Sequence, residues 1–194
     1  MTATTAQSDG CEAGASSSDE ALVQRAADGS LAAFNELVGR YERRLLGFLL
    51  QRTGNRADAE DAMQEALVKA YRALGRYNSR WRFSTWLFTI AARELASLQR
   101  GRRPGLPLDD AAPMPAPPPA AQTPAGAWDA ARRLLGAEHY AALWLCYGED
   151  LSVAEIGRVL GRTRIWVRVS LFRSRRALRA VLDRDGAVKA GGEP

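Results

Sequence analysis

Apolar residues recur along this chain at three- and four-residue spacing. No stretch alternates with period two over a useful length, so the pattern predicts helices and no sheet. Phe34, Leu37, Tyr41, Leu45 and Phe48 fall on one face of a helix capped by Ser30 and ended by Thr53-Gly54-Asn55. Ahead of it, Ser17-x-x-Glu20 has the form of a capping box for a short helix that stops at Asp28-Gly29. A third helix is predicted over Asp58–Leu74, with Met63, Ala66, Leu67, Ala70 and Tyr71 turned inward, and a fourth from Ser84 to Arg100. The pattern resumes over 125–183, with helices at Ala137–Tyr147, Leu151–Gly161 and Thr163–Leu182, the second opened by a Ser152-x-x-Glu155 capping box. Val153, Ile156, Val159 and Leu160 make the packed face of one; Ile165, Val167, Leu171 and Leu178 are expected core positions of the next. Only Gly161-Arg162-Thr163 separates these two helices, with glycine where a helix stops and threonine where one starts, which is a helix-turn-helix pattern.

Between the two helical stretches lie eight of the nine prolines, from Pro104 to Pro124. Proline removes a backbone donor and clashes with the preceding turn, so helix cannot persist there. The expected fold class is all-α: two small helical domains joined by a Pro-rich flexible linker. The expected boundaries are a leader at 1–18, a first domain at 19–103, the linker at 104–126, a second domain at 127–184 and a tail at 185–194. Stretched as polyproline, the linker reaches about 70 Å, and as a coil about 25–30 Å. A turn of DNA is about 34 Å.

Composition narrows the class. At 194 residues, 46% hydrophobic and 25% charged, the chain is ordinary for a globular protein. No apolar run reaches the roughly 18 residues of a membrane span, and the start has no secretory pattern, so no membrane insertion is expected and the cytoplasm is the default location. Cys11 and Cys146 are far apart and His139 is the one histidine, a pattern with neither a disulfide framework nor a metal site; no cofactor is implied. The net charge of +5 is unevenly spread. From Arg162 to Arg184 eight arginines face one acid, Asp183, the footprint of a nucleic-acid contact.

Three constellations carry the candidate chemistry. Asp58, Asp61 and Glu65 share one side of the third helix, with Glu60 and Gln64 beside them. They are either a solvated face favourable to the helix dipole or a docking surface for a basic protein; nothing nearby supports acid–base catalysis. Next come Arg76, Tyr77, Arg80, Trp81 and Arg82 ahead of Phe83, Trp86 and Phe88. Rings beside arginines make stacking platforms for unpaired bases, although Trp81 would equally fold back onto the core. Last, Arg164, Arg168, Arg173, Arg175, Arg176 and Arg179 project from the final helix, suited to groove and phosphate contacts. Trp166 on its first turn is either a DNA contact or a core anchor. Two rivals are a stand-alone dimeric repressor and a nucleic-acid-modifying enzyme. The long tether and the aromatics suited to unpaired bases argue against the first, and the lack of a metal cluster or nucleophile–base pair against the second.

DEALVQRAADGSLAAFNELVGRYERRLLGFL, NRADAEDAMQEALVKAYRAL and FSTWLFTIA resemble region 2, and LSVAEIGRVLGRTRIWVRVSLFRSRRAL resembles region 4, of the extracytoplasmic-function (ECF) sigma factors of the sigma-70 family. The resemblance implies a non-enzymatic, alternative sigma factor with regions 2 and 4 only, directing promoter-specific initiation by the RNA polymerase core. It implies that Asp58, Glu60, Asp61, Gln64 and Glu65 bind the β′ clamp helices, with region 4 at the β flap. Arg76, Tyr77, Arg80, Trp81, Arg82, Arg93 and Arg100 would meet the −10 element as single-stranded DNA. Thr163, Arg164, Trp166, Arg168, Ser170, Arg173, Arg175 and Arg176 would meet the −35 element. It further implies control by an anti-sigma factor. Departures from the family pattern are SRWR in the −10 loop, Arg93 for a frequent Asn, Gly157 for a frequent Ala, and Val169-Ser170 for a frequent Ser-Arg pair.

Overall fold

The structure, a computed structural model, describes residues 18–101 and 127–190. The predicted linker 104–126, most of the leader and the end of the tail lie outside the described residues, as does Ser17 of the expected first capping box. Every regular element among the described residues is helical. The first half holds α1 (Asp19–Ala27), α2 (Leu31–Thr53), α3 (Arg56–Ala73), a single 3₁₀ turn at Leu74–Arg76 and α4 (Phe83–Gly101). The second holds α5 (Ala127–Leu134), α6 (Ala137–Tyr147), α7 (Val153–Leu160) and α8 (Arg164–Ala190).

Local chemistry sets the ends of these helices. The cap of α1 is Ser18, one residue beyond the expected position, its hydroxyl accepting from the Ala21 N–H at 3.2 Å. Ser30 caps α2 in the same way, and Asn55 caps α3 by accepting from the Asp58 N–H at 3.1 Å. Gly54 ends α2 in the left-handed region at φ 65°, where a Cβ would be strained. The expected capping box of α7 is present: Ser152 and Glu155 satisfy each other's backbone donors.

Leu37, Tyr41, Leu45 and Phe48 of α2 are buried against α3 and α4, and the Phe48 and Phe88 rings meet edge-on at 5.2 Å. Each fully buried Leu or Phe contributes about 1.5–3 kcal/mol relative to its exposed state. In the second half, Tyr140, Trp144, Leu145, Ile156, Val159, Val167 and Leu171 are buried. Ile165, expected in this core, is instead 74% exposed. Val167 and Leu171, four apart, already fill the inward face of α8, and Ile165 lies on another side of the helix.

The two halves pack directly against each other, α2 on α6 and α4 on α7, and their buried apolar residues join in one continuous core. Gly47 of α2 permits the closest approach: a Cβ there would stand 3.2 Å from Cη2 of Trp144. Beside it Arg44 donates from Nε to Glu149 Oε1 at 2.9 Å and from Nη2 to Oε2. Glu149 has no exposed side-chain surface. Burial pushes its carboxyl up and the Arg44 guanidinium opposes this, leaving the group above the usual carboxylate value. Thr85 of α4 donates to Glu155 of α7 at 2.8 Å, a buried bond across the same seam.

Candidate nucleic-acid and protein interfaces

The acidic face of α3 lies where the sequence places it. Asp61, Gln64 and Glu65 are exposed, one helical turn apart or adjacent. Glu60, partly exposed, is held by Arg56 at 2.7 Å, and Asp58 lies in the capped first turn. Their inward neighbours Ala59, Ala62, Met63 and Ala66 are buried, so the helix offers its carboxylates to solvent while anchored by small side chains. Lys69, further along α3, pairs with Glu94 of α4 and closes the acidic run.

Between α3 and α4 the loop is braced by its own aromatic residues. Tyr77 turns inward. Its hydroxyl donates to the Trp81 carbonyl at 2.7 Å, and its ring stands 5.3 Å from Trp86 and 6.0 Å from Phe83. Burial raises its phenol pKa. Tyr77 therefore fixes the loop from beneath. Arg76, Arg80 and Arg82 are exposed, as are Arg93 and Arg100 along α4. Trp81 is half-buried, but what covers it is the other half of the chain: the Arg158 guanidinium of α7 lies over its ring at 4.9 Å. Arg82 likewise donates to the Asp150 carbonyl at 2.9 Å. Asp150 has a positive φ of 53°, uncommon outside glycine, asparagine and aspartate, and this bend leads the chain toward α7.

In the helix-turn-helix, Gly161 closes α7 at φ 64° and the Thr163 hydroxyl accepts from the Trp166 N–H at 3.1 Å to open α8. The turn is tight because residue 157 lacks a side chain. A Cβ there would stand 2.8 Å from the Arg162 carbonyl oxygen. Arg164, Arg168, Arg173, Arg175 and Arg176 are all exposed. Ser170 is 1% exposed, and its Oγ lies 2.7 Å from Nδ1 of His139. That placement corrects the expectation of a direct DNA contact: Ser170 joins α8 to α6. Trp166 also turns to this joint, stacked on His139 at 5.4 Å with the Arg162 guanidinium 5.4 Å from its ring. Thr163 has its hydroxyl engaged by the cap. The exposed arginines thus stand together on α8, with Ser170 turned inward.

Periodicity did not reveal Arg158, which lies in another part of the chain from Trp81, nor the outward placement of Ile165, Val169 and Phe172. The signal for the last three was present as spacing: 165, 169 and 172 repeat at four and three, out of phase with 167, 170, 171 and 174.

Both halves match known families. The model of "Sigma-70 region 2" matches residues 37–104 and that of "Sigma-70, region 4" matches 135–180. Over 88 residues the chain is 40% identical to the RNA polymerase sigma-H factor of Pseudomonas aeruginosa and 41% identical to the ECF RNA polymerase sigma-E factor of Haemophilus influenzae. Each alignment covers 44% of this chain and 46% of the relative, so the chain matches about half the length of these curated relatives. Among solved structures, CnrH in complex with the cytosolic domain of CnrY aligns with 86% of this chain and 98% of its own, at 27% identity and a TM-score of 0.56. The sigma factor RpoE in complex with the anti-sigma factor NepR from Bartonella quintana shares the fold at 21% identity and a TM-score of 0.62, over 79% of this chain and 98% of its own. The chain thus pairs a helical half that bears an acidic face with one that bears an arginine-rich helix-turn-helix. The chain belongs to the sigma-70 family and carries its regions 2 and 4.

Proposed function

We propose that this chain is an alternative, ECF-type sigma factor that binds the RNA polymerase core and directs it to promoters. The observation that carries the reading is the pairing of two opposite surfaces: carboxylates exposed on α3 and arginines exposed on α8. Asp61, Gln64 and Glu65 offer a surface complementary to a basic protein partner, the β′ clamp helices, while region 4 meets the β flap. Arg164, Arg168, Arg173, Arg175 and Arg176 grip the −35 duplex, each neutralised phosphate adding affinity that falls as salt rises. Arg76, Arg80, Trp81 and Arg82, with Arg93 and Arg100, receive the −10 strand once bases leave the stack.

In the arrangement observed, Trp81 is under Arg158 and Arg82 is bonded to Asp150. Base capture at this loop therefore requires the halves to part, so the free chain binds promoters poorly and core binding stabilises the separated form. Control by an anti-sigma protein is part of the proposal. It is supported by the likeness to CnrH, solved with the cytosolic domain of CnrY.

Transcription in vitro with purified core polymerase tests the reading. Run-off transcripts from a cognate promoter that depend on this chain are expected. Transcripts that are the same with and without it would sink the proposal.

A further inference from the structure

Resting on the −35 role proposed above, we infer that an apolar stripe on α8, Ile165, Val169 and Phe172, reads the 5-methyl groups of thymines in the major groove. These side chains are 74%, 41% and 65% exposed, whereas Val167, Ser170, Leu171 and Ser174 on the opposite side are buried. Exposed apolar residues in a row are not explained by packing, because the core beneath α8 is already filled.

What surrounds the stripe selects its occupant. Arg164, Arg168, Arg173, Arg175 and Arg176 are exposed around it, and no acidic residue occurs between Arg162 and Leu182. An apolar strip framed by cations fits a polyanion that presents apolar groups at its centre. Duplex DNA does this at one place: the thymine methyl is the apolar feature of the major-groove base edges. The dimensions agree. Seven residues of helix rise about 10 Å, and base pairs are about 3.4 Å apart, so Ile165 to Phe172 spans about three base steps. Arginine forks on the same helix then contact phosphates and guanine edges, while the stripe discriminates pairs that carry a methyl from those that do not.

The test uses the full chain with core polymerase and a promoter library with a fixed −10 element and ten randomised base pairs at −35. Duplexes retained by the holoenzyme are resynthesised with deoxyuridine in place of each −35 thymine in turn, which removes the methyl and leaves base pairing intact. Affinity is expected to fall about fourfold for each contacted thymine, the equivalent of one buried methyl group. Ile165→Ser and Val169→Ser, substitutions at exposed positions that leave no methyl to meet the base, are expected to bind the thymine and deoxyuridine duplexes alike. If a −35 sequence is selected yet every deoxyuridine duplex binds like its thymine counterpart, the stripe does not read methyls, and the sigma-factor reading stands. A holoenzyme that retains no −35 sequence, or a chain that fails to bind core, overturns that reading and this inference with it.

Discussion

Gly157 occupies the middle of a helix, where glycine costs about 1 kcal/mol relative to alanine. The geometry reverses the usual inference. A Cβ would press on the Arg162 carbonyl at 2.8 Å, and the Arg162 N–H is itself bonded to the Gly157 carbonyl at 2.9 Å. Gly157→Ala is therefore expected to lower stability by about 1–3 kcal/mol despite its better helix propensity, as a thermal melt would show. Ser170 also behaves differently from its sequence expectation. Ser170→Ala removes the partner of His139 and is expected to lose about 0.5–1.5 kcal/mol of stability, while leaving the salt dependence of −35 binding unchanged. Arg168→Ala should reduce the slope of that dependence by about one, with little effect on the melt. At Glu155, burial pushes the carboxyl up, but the Ser152 hydroxyl and N–H and the Thr85 hydroxyl outweigh it, leaving the group below its ordinary value. A lowered carboxylate contributes stability above the unfolded pKa of about 4.3 and loses it as pH falls through the lower folded value. Glu155→Gln should thus be less stable than the parent at neutral pH, with the gap closing below about pH 4.

Among the elements, α3 has an outward face that can be altered without touching the core beneath it. Asp61 and Glu65 are exposed, and the packing beneath them is made by Ala62, Met63 and Ala66. Charge reversal of both residues to Lys is expected to leave helicity intact and weaken core binding by at least about tenfold, measured by fluorescence anisotropy. Unchanged affinity would remove the docking role of α3. Most elements were legible in the sequence because period and caps coincided, as at Ser30, Gly54, Ser152 and Gly161. The miss was α5, a helix of only eight residues directly after the proline-rich stretch, too short for a repeat to show although its apolar and polar sides are well separated. It is anchored at Trp128, which stands 5.9 Å from both Tyr140 and Trp144. Ile165 misled for the opposite reason: apolar character signals burial on average, while a recognition surface can use apolar groups outward. Tyr77 and Trp81 sit four residues apart in one loop, yet one braces it from below and the other meets a different half of the chain. Local sequence does not separate those fates.

At the level of the molecule, the seam between the halves was the feature least visible in the sequence. Its polar members Arg44, Thr85, Glu149 and Glu155 each look like surface residues until the fold brings them together. Arg44→Ala would leave the Glu149 carboxylate buried without its partner, weakening the closed arrangement by up to about 3 kcal/mol. Small-angle scattering should then show a larger radius of gyration for this variant than for the parent, and an equal radius would show that the seam does not depend on this pair.

The position of Arg158 over Trp81 has one more consequence. A cation above that ring and a base stacked on it are alternatives, so under the proposed role part of the energy released on binding core polymerase is consumed in parting the two modules. The apparent affinity is lower than the intrinsic one by the fraction of molecules already open. Under the proposed role, the self-contact would thus handicap this chain in competing for a limited pool of core polymerase.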